Sequence, residues 1–238
     1  PSQGDYFQAV KGGGHGDYKL IVLAPGSVQE MADLTILAFD LADKWRNPVM
    51  ILADGILGQM MEPVVFEEDL KINQVEKPWA TTGAIGRKPN IINTLDIVPE
   101  SLEQKNIALL TKYDEIRKQE VRWQEIHTED ADLILVAYGT SARVARSAME
   151  EARKKGLKVG LFRPISLYPF PEGEISRLAS SKTEFLTIEM SSGQMVEDVR
   201  LAVNGKCPVH FTNRLGGMVP TVEDILEKIE EIYEGSDH

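Results

Sequence analysis

The order of apolar and polar residues predicts that strands and helices alternate along most of the chain. Residues 20–24 and 49–53 are continuous apolar runs, which are typical of parallel strands covered on both faces. The stretch between them carries apolar residues at helical spacing, and Asn47-Pro48 ends it. We therefore expect a strand–helix–strand unit, whose crossover is right-handed in nearly all known sheets.

The start of this helix carries a signal of its own. Ser27 occupies the N-cap position and Glu30 follows three residues later, which is the spacing of a capping box. In such a box each side chain bonds the backbone amide of the other residue. We expect Ser27 and Glu30 to be paired in this way.

The middle of the chain, from residue 67 to about residue 130, does not show this alternation of strands and helices. Residues 77–79 and 81–86 indicate an irregular connection. Beyond them, apolar residues at helical spacing predict a long amphipathic helix, and its stripe consists of Leu102, Leu109, Tyr113, Ile116 and Trp123. We expect this stripe to pack in the chain's own core and the charged face to lie in solvent.

The alternation returns after residue 131. An apolar run predicts a strand at residues 133–137, and mainly apolar segments predict strands at residues 158–162, 184–188 and 209–211. Between and after them we expect a helix from residue 139 to residues 152–156 and a last helix that begins near Thr221. This order indicates an α/β fold with two parallel-sheet domains. We expect them to cover residues 1–75 and 131–238, with a connector over residues 76–130 that contains the long helix.

Composition narrows the class of protein. The chain has 238 residues, of which 42% are hydrophobic and 26% charged, as in folded globular proteins. Its net charge of −11 would repel phosphate backbones and anionic membrane surfaces, so we expect neither nucleic acid nor a membrane as partner. The single cysteine, Cys207, excludes an internal disulfide and an iron–sulfur cluster held by this chain alone. With no apolar run of membrane-spanning length and no signal-peptide pattern, we expect a cytoplasmic protein.

Ligands of open parallel sheets bind at the carboxyl ends of the strands, and this rule ranks the candidate site residues. Asp54 follows the second predicted strand. If residues 4–11 form a helix that runs back toward the first strand, Ser2, Gln3 and Asp5 lie at the same edge and are candidate ligand contacts. Capping of that helix by Ser2 or Asp5 is the alternative interpretation.

A glycine-rich loop over residues 12–16 surrounds His15. Glycine leaves the backbone free to approach a ligand or to adopt positive φ, and an imidazole donates, accepts or titrates near neutral pH. His15 is therefore a candidate contact. The loop leads into the start of a strand, on the edge opposite the expected site, so a turn that needs glycine is the alternative.

The strand exits of the second half carry further polar residues. Residues 138–143 lie between a strand and a helix, where either an anion or a cap would occupy the helix N-terminus. Glu189 follows another strand, and pairing with Arg163 or Arg143 is as good an expectation for it as chemistry. The sequence contains no phosphate-loop, HExxH, CxxC or nucleophile-elbow motif and no metal-ligand cluster.

Several motifs together resemble the alpha subunit of 2-oxoacid:ferredoxin oxidoreductases, and the resemblance extends over essentially the whole chain. The motifs are Gly-Gly-Gly-His-Gly-Asp-Tyr at residues 12–18, Leu-Ala-Pro-Gly-Ser-Val-Gln-Glu at 23–30, Leu-Ala-Asp-Gly at 52–55, Lys-Pro-Trp at 77–79, Ala-Tyr-Gly-Thr-Ser-Ala-Arg at 137–143 and Ser-Gly-Gln-Met at 192–195. Residues 57–63 look most like the branched-chain, 2-oxoisovalerate type. The resemblance implies a partial thiamine-diphosphate pyrimidine-type domain followed by a transketolase C-terminal-like domain.

The resemblance also implies an activity: oxidative decarboxylation of a 2-oxo acid to acyl-CoA and CO2, with coenzyme A as acyl acceptor and ferredoxin as electron acceptor. Thiamine diphosphate would carry the chemistry and would be shared with a partner subunit. Mg2+ and iron–sulfur clusters would belong to partner subunits, and none of them to this chain alone. The implied partners are a thiamine-diphosphate-binding beta subunit, a gamma subunit, a ferredoxin-like delta subunit and ferredoxin.

In this family a further stretch precedes the position of Pro1, and it holds the glutamate that activates the aminopyrimidine and an arginine-bearing substrate loop. We therefore expect the chain to be N-terminally incomplete and inactive alone. In transketolase-like proteins the turn that matches residues 1–3 lies by the substrate. This implies Ser2 and Gln3 as hydrogen-bond donors to the substrate, Asp5 as their orienter and His15 as a loop contact.

Two alternative functions fit the same sequence. An E1-beta-like subunit of a 2-oxoacid dehydrogenase, or of a split transketolase, shares the architecture but passes its acyl or aldehyde group to lipoamide or an aldose. A non-catalytic assembly subunit would use both α/β domains only as a scaffold.

Overall fold

The computed structural model describes residues 2–66 and 75–236, so Pro1, residues 67–74, where the predicted middle segment begins, and residues 237–238 lie outside the described residues. Helices and strands follow in the order α1 (Tyr6–Val10), β1 (Ile21–Leu23), α2 (Val28–Trp45), β2 (Val49–Ile51), α3 (Pro99–Gln119), β3 (Trp123–Ile126), β4 (Leu133–Val136), α4 (Gly139–Lys154), β5 (Val159–Pro164), β6 (Ser166–Tyr168), α5 (Glu172–Leu178), β7 (Glu184–Glu189), α6 (Met195–Val203), β8 (Val209–Asn213) and α7 (Val222–Ser236). Single 3-10 turns occur at Gly12–Gly14 and Leu57–Gln59.

The strands form two sheets. The larger has the order β3-β5-β4-β7-β8, in which only the edge strand β3 is antiparallel to its neighbour. The smaller has the order β2-β1-β6, with β1 and β2 parallel and β6 antiparallel to β1. The predicted α/β class with two sheets is confirmed. The two antiparallel edge strands were not predicted from the sequence, and neither were α5 and α6.

The strand β6 ties the two halves of the chain together. It follows β5 directly, yet it pairs with β1 of the smaller sheet, where Val22 lies opposite Tyr168. The amide of Ala24 also donates to the carbonyl of Ile165 at 2.7 Å. The smaller sheet is thus completed by a strand from the second half of the chain.

The hydrophobic core follows this arrangement. The helices α4 and α7 pack together over one face of the larger sheet and bury an aliphatic cluster that includes Met149 and Ile229. A second cluster, around Phe162 and Phe185, contains residues of both sheets as well as Tyr6 of α1. Because side chains of both sheets share this cluster, the halves are joined by apolar packing as well as by β6.

The start of α2 confirms half of the predicted capping box. The Ser27 hydroxyl accepts a hydrogen bond from the amide of Glu30 at 3.1 Å. The other half of the prediction, a hydrogen bond from the Ser27 amide to the Glu30 carboxylate, is wrong. The Glu30 carboxylate instead accepts from the amide of Gly26 at 2.7 Å and pairs with Arg163. A guanidinium from the other half of the molecule has drawn the carboxylate away from the Ser27 amide.

The long helix α3 corrects the predicted apolar stripe. Trp123 lies in β3, beyond the end of the helix at Gln119. Tyr113 and Ile116 are buried, whereas Leu102 and Leu109 are exposed, so the amino-terminal half of the stripe is not core. A helix of 21 residues is about 32 Å long. The three-residue strands β1 and β2 span only about 10 Å each, so the small sheet is too short to pack against the whole length of α3.

Within the described residues, no helix is both long and apolar enough to cross a lipid bilayer.

Candidate functional site

The exits of five strands from the two sheets meet at one place. Gly26, which follows β1, contacts Arg163 of β5 and Arg143 of α4. Asp54, which follows β2, contacts Thr140 at the exit of β4. The carboxyl ends of strands from both sheets therefore lie next to each other, and the rule for parallel sheets makes this place the candidate ligand site.

Gln3 lies at the centre of this edge and is buried. Its side-chain amide donates to the carbonyl of Tyr138 at 2.9 Å. Its side-chain oxygen accepts from the Ser141 hydroxyl at 3.0 Å and from the amide of Met190 at 2.9 Å. Gln3 thus links the exits of β4 and β7.

Asp54 is also buried, and its carboxylate closes the amino-terminal end of α4. One oxygen accepts from the amide of Thr140 at 2.8 Å, and the other from the Thr140 hydroxyl at 2.7 Å and from the amides of Ile56 and Leu57. A carboxylate at this position also complements the helix dipole. The helix end that was expected to hold an anion or a cap is thus occupied by Asp54 from the other half of the chain.

Gly139, the first residue of α4, separates Gln3 from Asp54. Its φ is +58°, and an added Cβ would lie 2.7 Å from a carboxylate oxygen of Asp54 and 3.3 Å from the side-chain nitrogen of Gln3. Only glycine combines this conformation with so little space. Two of the predicted site residues, Gln3 and Asp54, are therefore brought together.

Glu189 has a different role from the one expected of it. It is fully buried, and its carboxylate accepts from the amides of Gln194, Met195 and Val196 at 2.9–3.1 Å and from a nearby serine hydroxyl. The expected pairing of Glu189 with an arginine is wrong, because the first amides of α6 satisfy the carboxylate instead.

The two arginines bind carboxylates of the first half. Arg163 donates through both terminal nitrogens to Glu30, at 2.7 and 2.8 Å. Arg143 donates to Glu62 at 2.7 Å and to the carbonyl of Gly26 at 3.0 Å. The sequence did not predict these contacts, because the partners are between 81 and 133 residues apart and no local spacing indicates such a pair.

The environment lowers the pKa of both carboxyl groups. Burial raises the pKa of Glu30, but the hydrogen bonds and charge of Arg163, together with the amide of Gly26, lower it by more. The amide of Val28 and then Arg143 lower the pKa of Glu62. Both side chains are therefore charged at neutral pH, as their pairing with the arginines requires.

A cavity of about 600 Å3 opens beside this network. Gly26, Ser27 and Glu30 form one wall, Thr140 and Arg143 another, and the apolar remainder includes Met60, Ile126 and Leu161. Its volume is within the range of small-molecule sites.

The remaining predicted site residues lie at the surface. Ser2 is exposed, and its hydroxyl accepts from the amide of Gly4 at 3.1 Å. Asp5 is exposed at the N-cap position of α1, but its side chain makes no capping hydrogen bond. The structure does not bring Ser2 and Asp5 into the contacts that surround Gly139.

His15 lies at the other end of β1, as the order of elements indicated. Its ring packs edge-on against Tyr18 with 5.8 Å between the ring centres. The glycines at 12, 13, 14 and 16 all have φ between +62° and +81°, so the loop depends on glycine. At the end of the loop, Gly16 lines a surface groove together with residues of α3, among them Leu109 and Leu110.

The amino-terminal segment docks on the second half of the molecule. The hydroxyl of Tyr6 donates to Asp198 at 2.6 Å, and Lys11 pairs with the same carboxylate. Burial, and then the Asp198 charge, raise the pKa of Tyr6 well above its ordinary value, so this phenol stays protonated. The segment is anchored to α6, which explains why Gln3 reaches the exits of β4 and β7.

Two helix ends of the larger sheet are not open to a diphosphate. The amino-terminal ends of α4 and α6, which follow strands of the larger sheet, are filled by the carboxylates of Asp54 and Glu189. Negative charge at these positions would repel a phosphate. In the part of the chain that the structure describes, no group of three or more His, Cys, Asp or Glu side chains is placed to hold a metal ion.

Comparison with known families gives two matches that together span most of the chain. The thiamine-diphosphate-binding domain of pyruvate flavodoxin/ferredoxin oxidoreductases matches residues 1–133. The pyruvate:ferredoxin oxidoreductase core domain II matches residues 131–225.

Curated relatives include subunits of a ketoisovalerate oxidoreductase and of a 2-oxoglutarate synthase. The ketoisovalerate oxidoreductase subunit VorB of Methanothermobacter thermautotrophicus is 50% identical over 232 residues, which cover 98% of this chain and 66% of the relative. The 2-oxoglutarate synthase subunit KorA of Methanothermobacter marburgensis is 33% identical over 254 positions, covering 96% of this chain and 68% of the relative. The chain thus spans slightly less than two thirds of the length of its VorB relative.

Solved structures share the fold. The 2-oxoglutarate:ferredoxin oxidoreductase from Magnetococcus marinus superposes with a TM-score of 0.71 at 20% identity, over 97% of this chain and 45% of that chain. A split-gene transketolase gives a TM-score of 0.50 at 16% identity, over 89% of this chain and 56% of that chain.

Proposed function

Because the chain belongs to the pyruvate flavodoxin/ferredoxin oxidoreductase family, we propose that it is one subunit of a thiamine-diphosphate-dependent 2-oxoacid:ferredoxin oxidoreductase. The single observation that carries this proposal is the 50% identity to the VorB subunit over 98% of the chain. The proposed reaction is the coenzyme A-dependent oxidative decarboxylation of a 2-oxo acid to acyl-CoA and CO2, with ferredoxin as electron acceptor.

The proposed substrate is a branched-chain 2-oxo acid such as 2-oxoisovalerate. Identity to the ketoisovalerate subunit is 50%, against 33% to the 2-oxoglutarate subunit, which favours the branched-chain type. The alpha assignment stays a prediction, because the relatives at 50% identity carry the name VorB.

Thiamine diphosphate, when bound, supplies the electron sink for decarboxylation. We propose that this chain shares the cofactor with a partner subunit, which binds the diphosphate and Mg2+, and that iron–sulfur clusters belong to other subunits. The carboxylates of Asp54 and Glu189, which fill the helix ends where a phosphate would otherwise bind, support this division.

The surface also supports a role as a subunit. Residues 75–98 contain neither helix nor strand, and together with the first half of α3 they expose many aliphatic side chains: Ile85, Ile91, Ile92, Leu95, Ile97, Val98, Leu102, Ile107, Leu109 and Leu110. Soluble monomers rarely expose contiguous apolar patches larger than a few hundred Å2. We propose that other subunits of the complex cover this surface.

For the site, we propose that Gln3 and Asp54 shape the edge at which the cofactor and the substrate bind. Both are buried and act through their hydrogen bonds across Gly139. Ser2, Asp5 and His15 stay predicted contacts, and their exposure leaves them accessible to a substrate or to another subunit. The proposed segments remain 1–75, 76–130 and 131–238.

The test uses the native complex isolated through this chain. Viologen reduction is measured with pyruvate, 2-oxoglutarate, 2-oxoisovalerate and an aryl pyruvate, with and without coenzyme A and thiamine diphosphate. We expect coenzyme A-dependent activity, highest with 2-oxoisovalerate. An intact complex that retains thiamine diphosphate but reduces no viologen would overturn the proposal and favour transfer to lipoamide or an aldose.

A further inference from the structure

The turn after β1, formed by residues 26–28, is held at each of its ends. The amide of Gly26 donates to Glu30 at 2.7 Å, and its carbonyl accepts from Arg143 at 3.0 Å. The amide of Val28 donates to Glu62 at 2.9 Å. The turn is thus fixed by two carboxylates and one guanidinium rather than by a regular backbone ladder.

Both carboxylates are in turn held by arginines of the second half. Arg163 binds both oxygens of Glu30, a bidentate geometry that fixes the carboxylate in orientation as well as in position. Arg143 binds the Glu62 oxygen that Val28 does not use. Each arginine therefore acts on the turn through a carboxylate, and Arg143 also acts directly.

The fit between the turn and Arg163 is close. An added Cβ on Gly26 would lie 2.7 Å from a terminal nitrogen of Arg163. The Arg163 side chain is only 8% exposed, so the guanidinium has little room to move aside. Any side chain at residue 26 would consequently collide with the Arg163 guanidinium.

The same turn forms a wall of the 600 Å3 cavity at the meeting strand exits. Because loops alone are poorly determined in shape, a site wall needs support from rigid elements. Here α4 and β5, from the opposite half of the molecule, supply that support. Resting on the proposed function, we infer that Arg143 and Arg163 are positioning residues, which set the shape of the 26–28 turn for the 2-oxo acid reaction.

The test compares Arg143→Lys and Arg163→Lys with Arg153→Lys in the intact complex. Lysine keeps the positive charge but cannot form the bidentate hydrogen bonds of a guanidinium. Arg153 is a matched control, because like both test residues it binds a carboxylate, and like Arg143 it lies on α4 and also binds backbone carbonyls. Its partners are Asp130, His127 and Val159, at the far end of the helix.

Two readouts are needed. Hydrogen exchange of peptides that contain residues 25–30 should become about tenfold faster in both test variants and stay unchanged in Arg153→Lys. In the viologen assay kcat/KM should fall about tenfold or more, since a displacement of about 1 Å in a site costs up to about a hundredfold in rate. The thermal midpoint of each test variant should change no more than that of Arg153→Lys. Measuring kcat and KM separately excludes loss of folded protein, because such a loss lowers only the apparent kcat and leaves KM unchanged.

Glu62→Gln is the second variant should an arginine substitution prevent folding. It keeps an acceptor oxygen for the amide of Val28 and removes the charge that binds Arg143. Unchanged exchange, or faster exchange with unchanged kcat/KM, would overturn the inference. A wild-type complex without activity would overturn the proposed function instead, and the exchange rates would still decide whether the arginines hold the turn.

Discussion

Asp54 and Thr140 are 86 residues apart, yet the Asp54 carboxylate accepts hydrogen bonds from both the amide and the hydroxyl of Thr140, at 2.8 and 2.7 Å. The bond pair joins the exit of β2 in the smaller sheet to the first turn of α4 on the larger sheet. It therefore acts as a helix cap and as a clasp between the two halves.

The first prediction tests this clasp with a double-mutant cycle. Asp54→Ala should lower the free energy of unfolding by about 2 kcal/mol, through loss of the cap and of the favourable charge at the helix end. Thr140→Val should cost about 1 kcal/mol. Because the two residues interact directly, the double variant should lose about 1 kcal/mol less than the sum of the single variants. Strict additivity in chemical unfolding of the purified complex would contradict the clasp.

The second prediction concerns Gly139. Gly139→Ala and Gly156→Ala both place alanine at positive φ, which costs about 1 kcal/mol. At Gly156 no atom lies within 4 Å of the added Cβ, whereas at Gly139 it meets the fixed carboxylate of Asp54. Gly139→Ala should therefore lower the thermal midpoint by several degrees more than Gly156→Ala, at about 2–4 °C per kcal/mol. Equal midpoints would show that Asp54 moves aside freely.

The third prediction separates Gln3 from Ser2. Gln3→Ala leaves the Ser141 hydroxyl and the Met190 amide without their partner, and each buried unsatisfied group costs about 1–3 kcal/mol. The Tyr138 carbonyl loses the Gln3 amide but still accepts from the amide of Ala142. We expect a loss of about 3 kcal/mol. Ser2→Ala, at an exposed position, should change stability by less than about 0.5 kcal/mol. Scanning calorimetry of both variants measures the difference, and a stable Gln3→Ala variant would leave Gln3 with only a ligand-binding role.

The fourth prediction concerns the exposed aliphatic surface of residues 75–110. Leu95 and Ile97 are 73% and 83% exposed, so Leu95→Lys and Ile97→Lys should leave the folding of this chain intact. If other subunits cover these side chains, the substitutions bury a charge and weaken assembly. Light scattering should then give a smaller particle mass for the co-expressed complex. Leu201→Lys, on α6 with 71% exposure, is the control, and an unchanged mass in all three variants would contradict the assignment of the surface.

The fifth prediction is a pH dependence. The pKa of Glu30 is lowered in the folded protein, so its ionisation adds stability above its ordinary value near 4.3, and this contribution is lost as the pH falls through the folded pKa. The difference in unfolding free energy between wild type and Glu30→Gln should be full at pH 7 and shrink below about pH 4. Glu150→Gln, which removes an exposed pair within α4, should show little difference at either pH. A difference for Glu30→Gln that does not change with pH would contradict the ion pair with Arg163.

Local pattern was sufficient for most of the elements. The continuous apolar runs at residues 20–24 and 133–137 identified β1 and β4, because strands of a parallel sheet that is covered on both faces are mostly apolar. Ser27 marked the start of α2, because capping depends only on residues within one turn. The rule that ligands bind at strand exits grouped Ser2, Gln3 and Asp5 with Asp54. The structure places Gln3 and Asp54 beside Gly139, whereas Ser2 and Asp5 lie at the surface.

Tertiary structure alone decided which side chains meet. Glu30 binds Arg163 instead of completing the capping box, Glu189 caps the amino-terminal end of α6, and Asp54 caps that of α4. Each choice depends on a competing partner that is distant in the chain or on the direction of a helix end, and no periodicity records either. The sequence by itself determined most of the elements and the α/β class, because these follow from propensity and patterning, whereas the two antiparallel edge strands, α5 and α6 appeared only in the structure. The packing of two sheets edge to edge decided the network at the site, because hydrogen bonds and ion pairs form only once the fold brings their groups within about 3 Å.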